Sequence, residues 1–110
     1  MQRASSLKKP SDVRRTSLPR ASEYTRQFRK DWNRYNKAGK MDMSRAIELM
    51  TLIILKRPLG AEWADHELSG REWKGAREAH IGGDFLLVYT ADDDFVEFVR
   101  LGSHSELFGR

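Results

Sequence analysis

The spacing of apolar residues in the first half of the chain predicts two helices. Aromatic residues recur at intervals of four, four and three residues after Ser22, a favourable helix N-cap, and Gly39 is a favourable helix end. A second apolar run with the helical period follows Asp42, also a favourable N-cap, and stops before Pro58. Because only a short turn separates the two segments, we expect an antiparallel helical hairpin. The aromatic stripe of the first helix comprises Tyr24, Phe28, Trp32 and Tyr35.

The apolar period changes in the second half of the chain, which predicts strands. A Gly-Gly pair and a run of three aspartates are turn signals, and the segments that they separate are rich in Phe, Val, Leu and Tyr. The middle segment is apolar on successive residues from Phe85 to Tyr89, so we expect it at the centre of an antiparallel sheet covered by the hairpin. The strands are predicted at residues 71–81, 84–90 and 95–101, after a loop at residues 59–69.

A further short strand is predicted before the first helix, at residues 13–20, where Pro19 would confine it to a sheet edge or a strand end. Together these elements give an α+β fold in the order β-α-α-β-β-β. The N-terminal helical hairpin packs on a small, mainly antiparallel sheet, and a short helix closes the chain.

Length and composition fit one domain without a membrane span. The chain has 110 residues, and no apolar run approaches the roughly 20 residues that a membrane-spanning helix needs. The absence of cysteine excludes disulfide scaffolds, thiolate zinc sites and thiol nucleophiles, so any chemistry must come from oxygen and nitrogen groups. It also suits a reducing cytoplasm, where we expect the protein to act. We assign residues 13–110 to the domain and residues 1–12 to a flexible basic tail.

Three interpretations of residues 1–12 stay open from the sequence. The stretch has no hydrophobic period, which favours a solvated tail. It is basic and poor in acids, as transit peptides are, although it lacks an apolar face. It is also consistent with an over-long gene model in which Val13 is the true start.

The net charge of +4 is distributed unevenly. Residues 1–20 carry six basic groups and one acid, and residues 26–45 carry seven basic and two acidic groups. Residues 62–110, in contrast, carry five basic and eleven acidic groups. The basic side of the first helix is most simply explained as a solvated face. A polyanion such as RNA would nevertheless be attracted to it, and we expect backbone contacts there from Arg29, Lys30 and Arg34.

The three histidines, His66, His80 and His104, all lie at element boundaries in the second half of the chain. A meander brings strand ends together, so the end of one strand (His80), the start of the next (Asp84) and the end of the last (Arg100) could share one edge of the sheet. The separations of 14 and 24 residues between the histidines match no local metal motif, so we expect no metal and no cofactor.

His104 lies within a helix-start signature. Ser103 and Glu106 form a capping box, which places His104 at the first position of a short terminal helix. Cleavage of RNA by its own 2′-hydroxyl needs a base, a cation near the phosphorane and an acid for the departing 5′-oxygen. The candidates are His66, His80 or Asp84 as base, Arg100 as cation and His104 as acid.

These residues stand within a longer pattern that resembles the YafQ-like toxins of the RelE/ParE superfamily. The pattern spans nearly all of residues 65–109 as the motifs DHxL, WKGxRxAH, an acid at the next turn and RxGxHxxLFG. The resemblance implies an active site formed by His66, His80, Asp84, Arg100, His104 and Phe108. We further expect substrate contacts from Phe85, where the family often has Trp, and from Arg77 and Lys74.

The resemblance also implies a function and partners. Members of the family are ribosome-dependent endoribonucleases that cut mRNA within codons and arrest translation, and they belong to type II toxin–antitoxin systems. The expected partners are therefore mRNA, the ribosome with its rRNA, and a cognate antitoxin in a hetero-oligomer that represses its own operon; no membrane is involved.

Two alternatives share the fold. A ParE-like toxin inhibits DNA gyrase without a cluster of histidines and acids, and a catalytically inactive binding module would need no titratable groups at all. The set of three histidines and Asp84 counts against both alternatives.

Overall fold

The first described strand and helix begin later in the chain than the sequence indicates. The computed structural model describes residues 18–109, so the predicted tail at 1–12 and most of the predicted strand at 13–20 lie outside the described residues. The first strand, β1, is Ala21–Tyr24, and the first helix, α1, is Arg26–Ala38. Thr25, not Ser22, is the N-cap of α1, since its side chain accepts a hydrogen bond from the Phe28 amide.

Pairing with a distant strand explains this difference. Ala21 to Tyr24 lie parallel to Phe95 to Phe98 of the last strand, and the Tyr24 ring stacks on Phe98 at a centroid distance of 5.6 Å. The Thr25 hydroxyl also donates to the Val99 carbonyl at 2.7 Å, which fixes the point where the strand ends and the helix starts. The predicted ends of the hairpin are otherwise confirmed, because Gly39 ends α1 with a φ of 67°.

The second helix, α2, is Met43–Ile54, with Asp42 as its N-cap. Lys56 and Arg57 lie beyond its last turn. The remaining strands are β2 (His66–Glu67), β3 (Arg77–Gly82), β4 (Phe85–Ala91) and β5 (Phe95–Gly102), and the terminal helix, α3, is His104–Phe108.

The segment between α2 and β3 differs from the prediction of a plain loop followed by one long strand. Two residues of the predicted loop form β2, and the first part of the predicted strand is a 3-10 turn at Arg71–Trp73. Gly70 and Gly75 adopt φ values of 100° and 84°, which an extended chain does not allow, so β3 starts only at Arg77.

The five strands form one sheet in the order β1-β5-β4-β3-β2, with β4 at its centre as predicted. All neighbouring strands are antiparallel except β1 and β5. The α+β fold expected from the sequence is thus confirmed. Among residues 18–109, no helix combines the length and apolarity required to cross a bilayer.

The central strand sends its side chains into two separate clusters. Phe85, Leu87 and Tyr89 pack beneath α1 and α2, in the larger cluster. Leu86 and Val88 point to the opposite face, where a smaller cluster includes Leu107 of α3. The candidate active site lies on this second face, next to the terminal helix.

Candidate active site

Strand β3 supplies two titratable side chains to the same face of the sheet. Side chains alternate along a strand, so Glu78 and His80 point to one side while Arg77, Ala79 and Ile81 point to the other. Glu78 lies opposite Val88 and His80 opposite Leu86, which places both on the face that carries the smaller cluster. The His80 Nε2 atom is 3.0 Å from Glu78 Oε2.

His66 reaches the same carboxylate from the neighbouring strand. His66 pairs with Glu78 between β2 and β3, and its Nε2 is 3.6 Å from Glu78 Oε2. Its Nδ1 lies 2.9 Å from the Ala64 carbonyl, which can only accept, so Nδ1 carries a proton. The Nε2 atom of His66 therefore faces the site.

His104 completes the cluster from the start of α3. Its Nδ1 is 2.6 Å from Asp84 Oδ1, and its backbone amide donates to the same oxygen at 3.2 Å. These two hydrogen bonds from His104 hold the pKa of Asp84 below its ordinary value, so Asp84 is a carboxylate at neutral pH. His104 Nδ1 is thereby the donor, and its Nε2 points to Glu78 Oε2 at 3.7 Å.

Glu78 is the centre of the cluster, and the sequence interpretation missed it. Its carboxylate is almost fully buried, with three imidazole Nε2 atoms between 3.0 and 3.7 Å from one oxygen. The ring centroids of His80 lie 6.2 Å from His66 and 5.8 Å from His104. The signal was present in the sequence, because a glutamate two residues before His80 in a strand must share its face.

A groove of about 510 Å³ opens beside the cluster. Phe108 is half-buried at its wall, with its ring 6.0 Å from the His104 ring and 5.2 Å, edge to face, from Trp73. Aromatic walls of this kind can stack a nucleobase while the polar floor faces its phosphate. The groove is lined by His66, Leu68, Ser69, Gly70, Glu72, Trp73, Glu78, His104, Leu107 and Phe108.

Arg100, the expected cation, lies near the C-terminal end of β5. It lies opposite Val88, in line with Glu78 across the sheet. Its guanidinium, however, binds the buried Asp31 of α1 through Nε at 2.8 Å and Nη2 at 3.3 Å. The structure therefore does not bring the Arg100 guanidinium into contact with the histidine cluster, and its role at the phosphate stays a prediction.

The expected substrate-binding residues are dispersed. Phe85 is only 2% exposed and packs under α1 against Tyr35, which argues against stacking on RNA. Arg77 forms an ion pair with Asp65 at 2.9 Å, and Arg34 forms one with Glu106 at 2.8 Å. Lys74 and Lys30 are exposed, and Arg29 lines a separate groove between α1 and α2.

One part of the cluster has the donor set of a transition-metal site. Donor atoms of His66, Glu78 and His80 lie within 4.8 Å of one another. Two imidazoles and a carboxylate suit Zn²⁺ or Cu²⁺. The histidine spacing alone did not indicate this possibility, because the third donor, Glu78, had not been identified.

Comparisons with known proteins point to one family. A family model described as the bacterial toxin of type II toxin–antitoxin systems, YafQ, matches residues 20–109. The mRNA interferase toxin YafQ of Escherichia coli K12 is 42% identical over 93 residues, covering 84% of this chain and 99% of that protein.

Solved structures give the same result. The E. coli DinJ-YafQ toxin–antitoxin complex matches with a TM-score of 0.75 at 42% identity, covering 84% of this chain and all of that one. A metal-bound toxin from Helicobacter pylori matches with a TM-score of 0.72 at 34% identity, covering 80% and 98%. The chain belongs to the YafQ family of bacterial type II toxins.

Proposed function

We propose that this protein is an mRNA interferase, an endoribonuclease toxin that cuts ribosome-bound mRNA and arrests translation. The observation that carries the proposal is the convergence of three imidazoles on one buried carboxylate, with Asp84 holding the third imidazole. Groups that accept and donate protons are thereby assembled at one groove, as cleavage of a phosphodiester requires.

The proposed reaction uses the RNA's own 2′-hydroxyl as the nucleophile. A base removes its proton, the 2′-oxygen forms a bond to the adjacent phosphorus, and the bond from phosphorus to the 5′-oxygen breaks. An acid donates a proton to that oxygen, so the products are a 2′,3′-cyclic phosphate and a 5′-hydroxyl. The side chains supply both proton transfers, and we propose that no metal ion or other cofactor is needed.

We assign the acid to His104. The Asp84 carboxylate fixes its Nδ1 proton and orients the ring, so Nε2 is the position that donates to the leaving group. The lowered pKa of Asp84 makes it a weak base at neutral pH. We therefore assign Asp84 the role of orienting His104 and not that of the base. We therefore assign removal of the 2′-hydroxyl proton to His66 or to the Glu78–His80 pair.

The charge distribution supports a ribosomal substrate. Because residues 62–110 are acidic in balance, free RNA would be repelled from the half of the chain that carries the groove. We propose that Arg29 and Lys30, two exposed basic residues of α1, contact rRNA and supply the missing attraction. Because ribosomes are its proposed target, we also propose that the toxin acts in the bacterial cytoplasm.

We further propose a cognate antitoxin that binds this protein and represses the shared operon with it. The related E. coli toxin has been solved in complex with DinJ. The ParE-like alternative, gyrase inhibition, is not favoured, because gyrase binding does not require three histidines around Glu78.

The test is induction in bacteria followed by mapping of transcript ends. We expect translation to stop and cuts to appear in frame with codons. His104→Ala should abolish the cuts, since the leaving group then lacks its acid, while the far-ultraviolet circular dichroism spectrum stays unchanged. In reactions with purified ribosomes, a chelator selective for transition metals should leave the rate unchanged.

The control is Asp93→Ala, an exposed residue in the turn between β4 and β5 that does not line the groove. It should cut at nearly the wild-type rate. Full cleavage by a folded His104→Ala variant would refute the acid assignment, and absence of cuts with the wild-type protein would refute the nuclease proposal.

A further inference from the structure

Helix α1 holds the terminal helix α3 through one carboxylate. Arg34 Nη2 lies 2.8 Å from Glu106 Oε2, and the Tyr35 hydroxyl donates to Glu106 Oε1. Arg34 and Tyr35 are adjacent on α1, and the Arg34 guanidinium also lies over the Tyr35 ring at 4.7 Å. The two side chains thus bind both oxygens of Glu106.

Glu106 also fixes the first turn of α3. Its Oε1 accepts from the Ser103 amide at 3.3 Å, and its own amide donates to Ser103 Oγ at 3.2 Å. Gly102 allows this approach, because a Cβ there would lie 2.8 Å from Glu106 Oε1. Glu106, which Arg34 and Tyr35 of α1 bind, is therefore also the residue that fixes the start of α3 at His104.

Helix α3 depends on such contacts for its position. It has five residues, far fewer than an isolated helix needs to be stable in water. Its other anchors are the packing of Leu107 into the smaller cluster and the bonds between His104 and Asp84. Although partial burial opposes ionisation, the bonds from Tyr35 and Ser103 and the charge of Arg34 keep the pKa of Glu106 below its ordinary value.

We infer that Arg34 and Tyr35 are positioning residues for the reaction, acting through Glu106 to fix His104 and Phe108 at the groove. This inference rests on the proposed nuclease function, and it replaces the substrate contact that the basic face of α1 had suggested for Arg34. An exposed ion pair adds little to stability. A displacement of about 1 Å at a catalytic group, in contrast, can lower a rate about 100-fold.

The first experiment measures cleavage of ribosome-bound mRNA by Arg34→Ala. We expect kcat to fall about 10-fold with KM within about twofold of wild type, because orientation of the acid is lost and mRNA binding is not. Arg34→Lys should recover part of kcat, since its ammonium can still reach Glu106. The matched control is Lys37→Ala, which removes an exposed cation from the last turn of the same helix and should leave both constants unchanged.

A double-mutant cycle with Glu106→Gln separates positioning from direct binding. If Arg34 acts through Glu106, the double variant should be no slower than the slower single variant. If Arg34 contacts RNA instead, KM should rise about 10-fold and the two effects should multiply. Either of those results would overturn the inference.

A spectroscopic measurement tests the same contact without cleavage. The Trp73 ring lies edge to face with Phe108, so its indole proton resonance reports the position of α3. We expect that resonance to shift in Arg34→Ala and Tyr35→Phe but not in Lys37→Ala. An unchanged Trp73 resonance in both test variants would overturn the inference even if the wild-type protein cuts mRNA. If the Trp73 resonance shifts in both test variants but the wild-type protein does not cut mRNA, the proposed function is refuted and the positioning contact is not.

Discussion

The Glu78 carboxyl group lies where water is nearly excluded, and a negative charge in such a place is costly unless positive groups surround it. The Nε2 atoms of His66, His80 and His104 lie within 3.7 Å of Glu78 Oε2, so any of these rings would supply a positive group when it is protonated. This arrangement suits a reaction in which one group loses a proton and another gains one.

Glu78→Gln tests this role at the level of a single residue. The amide keeps the size of the side chain but loses its charge, so an imidazolium near it is no longer stabilised. We expect single-turnover cleavage of ribosome-bound mRNA to slow by about 100-fold or more. The urea midpoint should stay equal or rise, since a buried charge is removed.

The matched control is Glu72→Gln, an exposed acid at the rim of the same groove. It should cut mRNA at nearly the wild-type rate. A folded Glu78→Gln variant that cuts mRNA at the wild-type rate would contradict the role given to Glu78.

The sequence identified the histidines better than their surroundings. Unusual residue types at element ends drew attention to His66, His80 and His104, and the meander predicted that His80, Asp84 and Arg100 share one edge of the sheet. The structure brings His80 and Asp84 to the cluster, but the Arg100 guanidinium binds Asp31 instead. Phe85 was expected to contact substrate, but its position in the central strand puts it under α1. Which face a strand residue takes depends on register with its neighbours, and register is set by contacts far apart in sequence.

At the scale of elements, the short strand β2 is held in place by a polar contact near the edge of the sheet. Asp65, next to His66, accepts from the Tyr89 hydroxyl at 2.6 Å and from Arg77 Nε at 3.0 Å. Burial and the bond to Asp65 raise the pKa of Tyr89, so its hydroxyl remains a donor throughout the neutral range. Tyr89 thereby joins the central strand to the segment that carries His66.

Tyr89→Phe removes that hydrogen bond and leaves the ring packing intact. We expect the free energy of unfolding to fall by about 1 kcal/mol, the contribution of one such bond. The cleavage rate should fall as well, because His66 is less firmly placed, while KM stays unchanged. Tyr24→Phe, at an exposed tyrosine on β1, is the control. Equal cleavage rates for Tyr89→Phe and wild type would show that this contact does not position His66.

Element types were predictable where the pattern was local. The helical periods, the Asp42 and Ser103 caps and the Gly-Gly turn all lie within a few residues of the elements that they define. The start of α1 was misplaced because Ala21 to Tyr24 pair with β5, more than 70 residues away. The strand β2 was missed because it has two residues and exists only through its bonds to β3.

At the scale of the whole molecule, Asp31 ties α1 to the last strand. Its side chain is fully buried, and Oδ2 accepts from Arg100 Nε at 2.8 Å and from the Leu101 amide at 3.0 Å. The Leu101 amide lies on the part of β5 that extends beyond its pairing with β1. Helix α1, from the first half of the chain, thus provides the hydrogen-bond acceptor for a backbone amide of β5, from the second half.

Asp31→Ala should therefore lower the free energy of unfolding and not only the cleavage rate. It leaves the Leu101 amide and the Arg100 guanidinium without their partner, and we expect a loss of about 3 kcal/mol in the free energy of unfolding at pH 7. Urea denaturation measures this loss. Asp93→Ala, in the exposed turn between β4 and β5, should change the free energy of unfolding by less than about 0.5 kcal/mol.

The pH dependence gives this prediction its sharpest test. Burial opposes ionisation of Asp31, but the bonds from Arg100, Leu101 and Gln27 outweigh it, so the pKa in the folded protein lies below the ordinary value of 3.8. A lowered folded pKa means that ionised Asp31 stabilises the fold fully above the unfolded pKa, and this stabilisation is lost as the pH falls through the folded pKa. The difference in unfolding free energy between wild type and Asp31→Ala should hence be constant from pH 7 to about pH 5 and narrow below about pH 4. A difference that stays constant down to pH 2.5 would mean that Asp31 does not stabilise the fold through its charge.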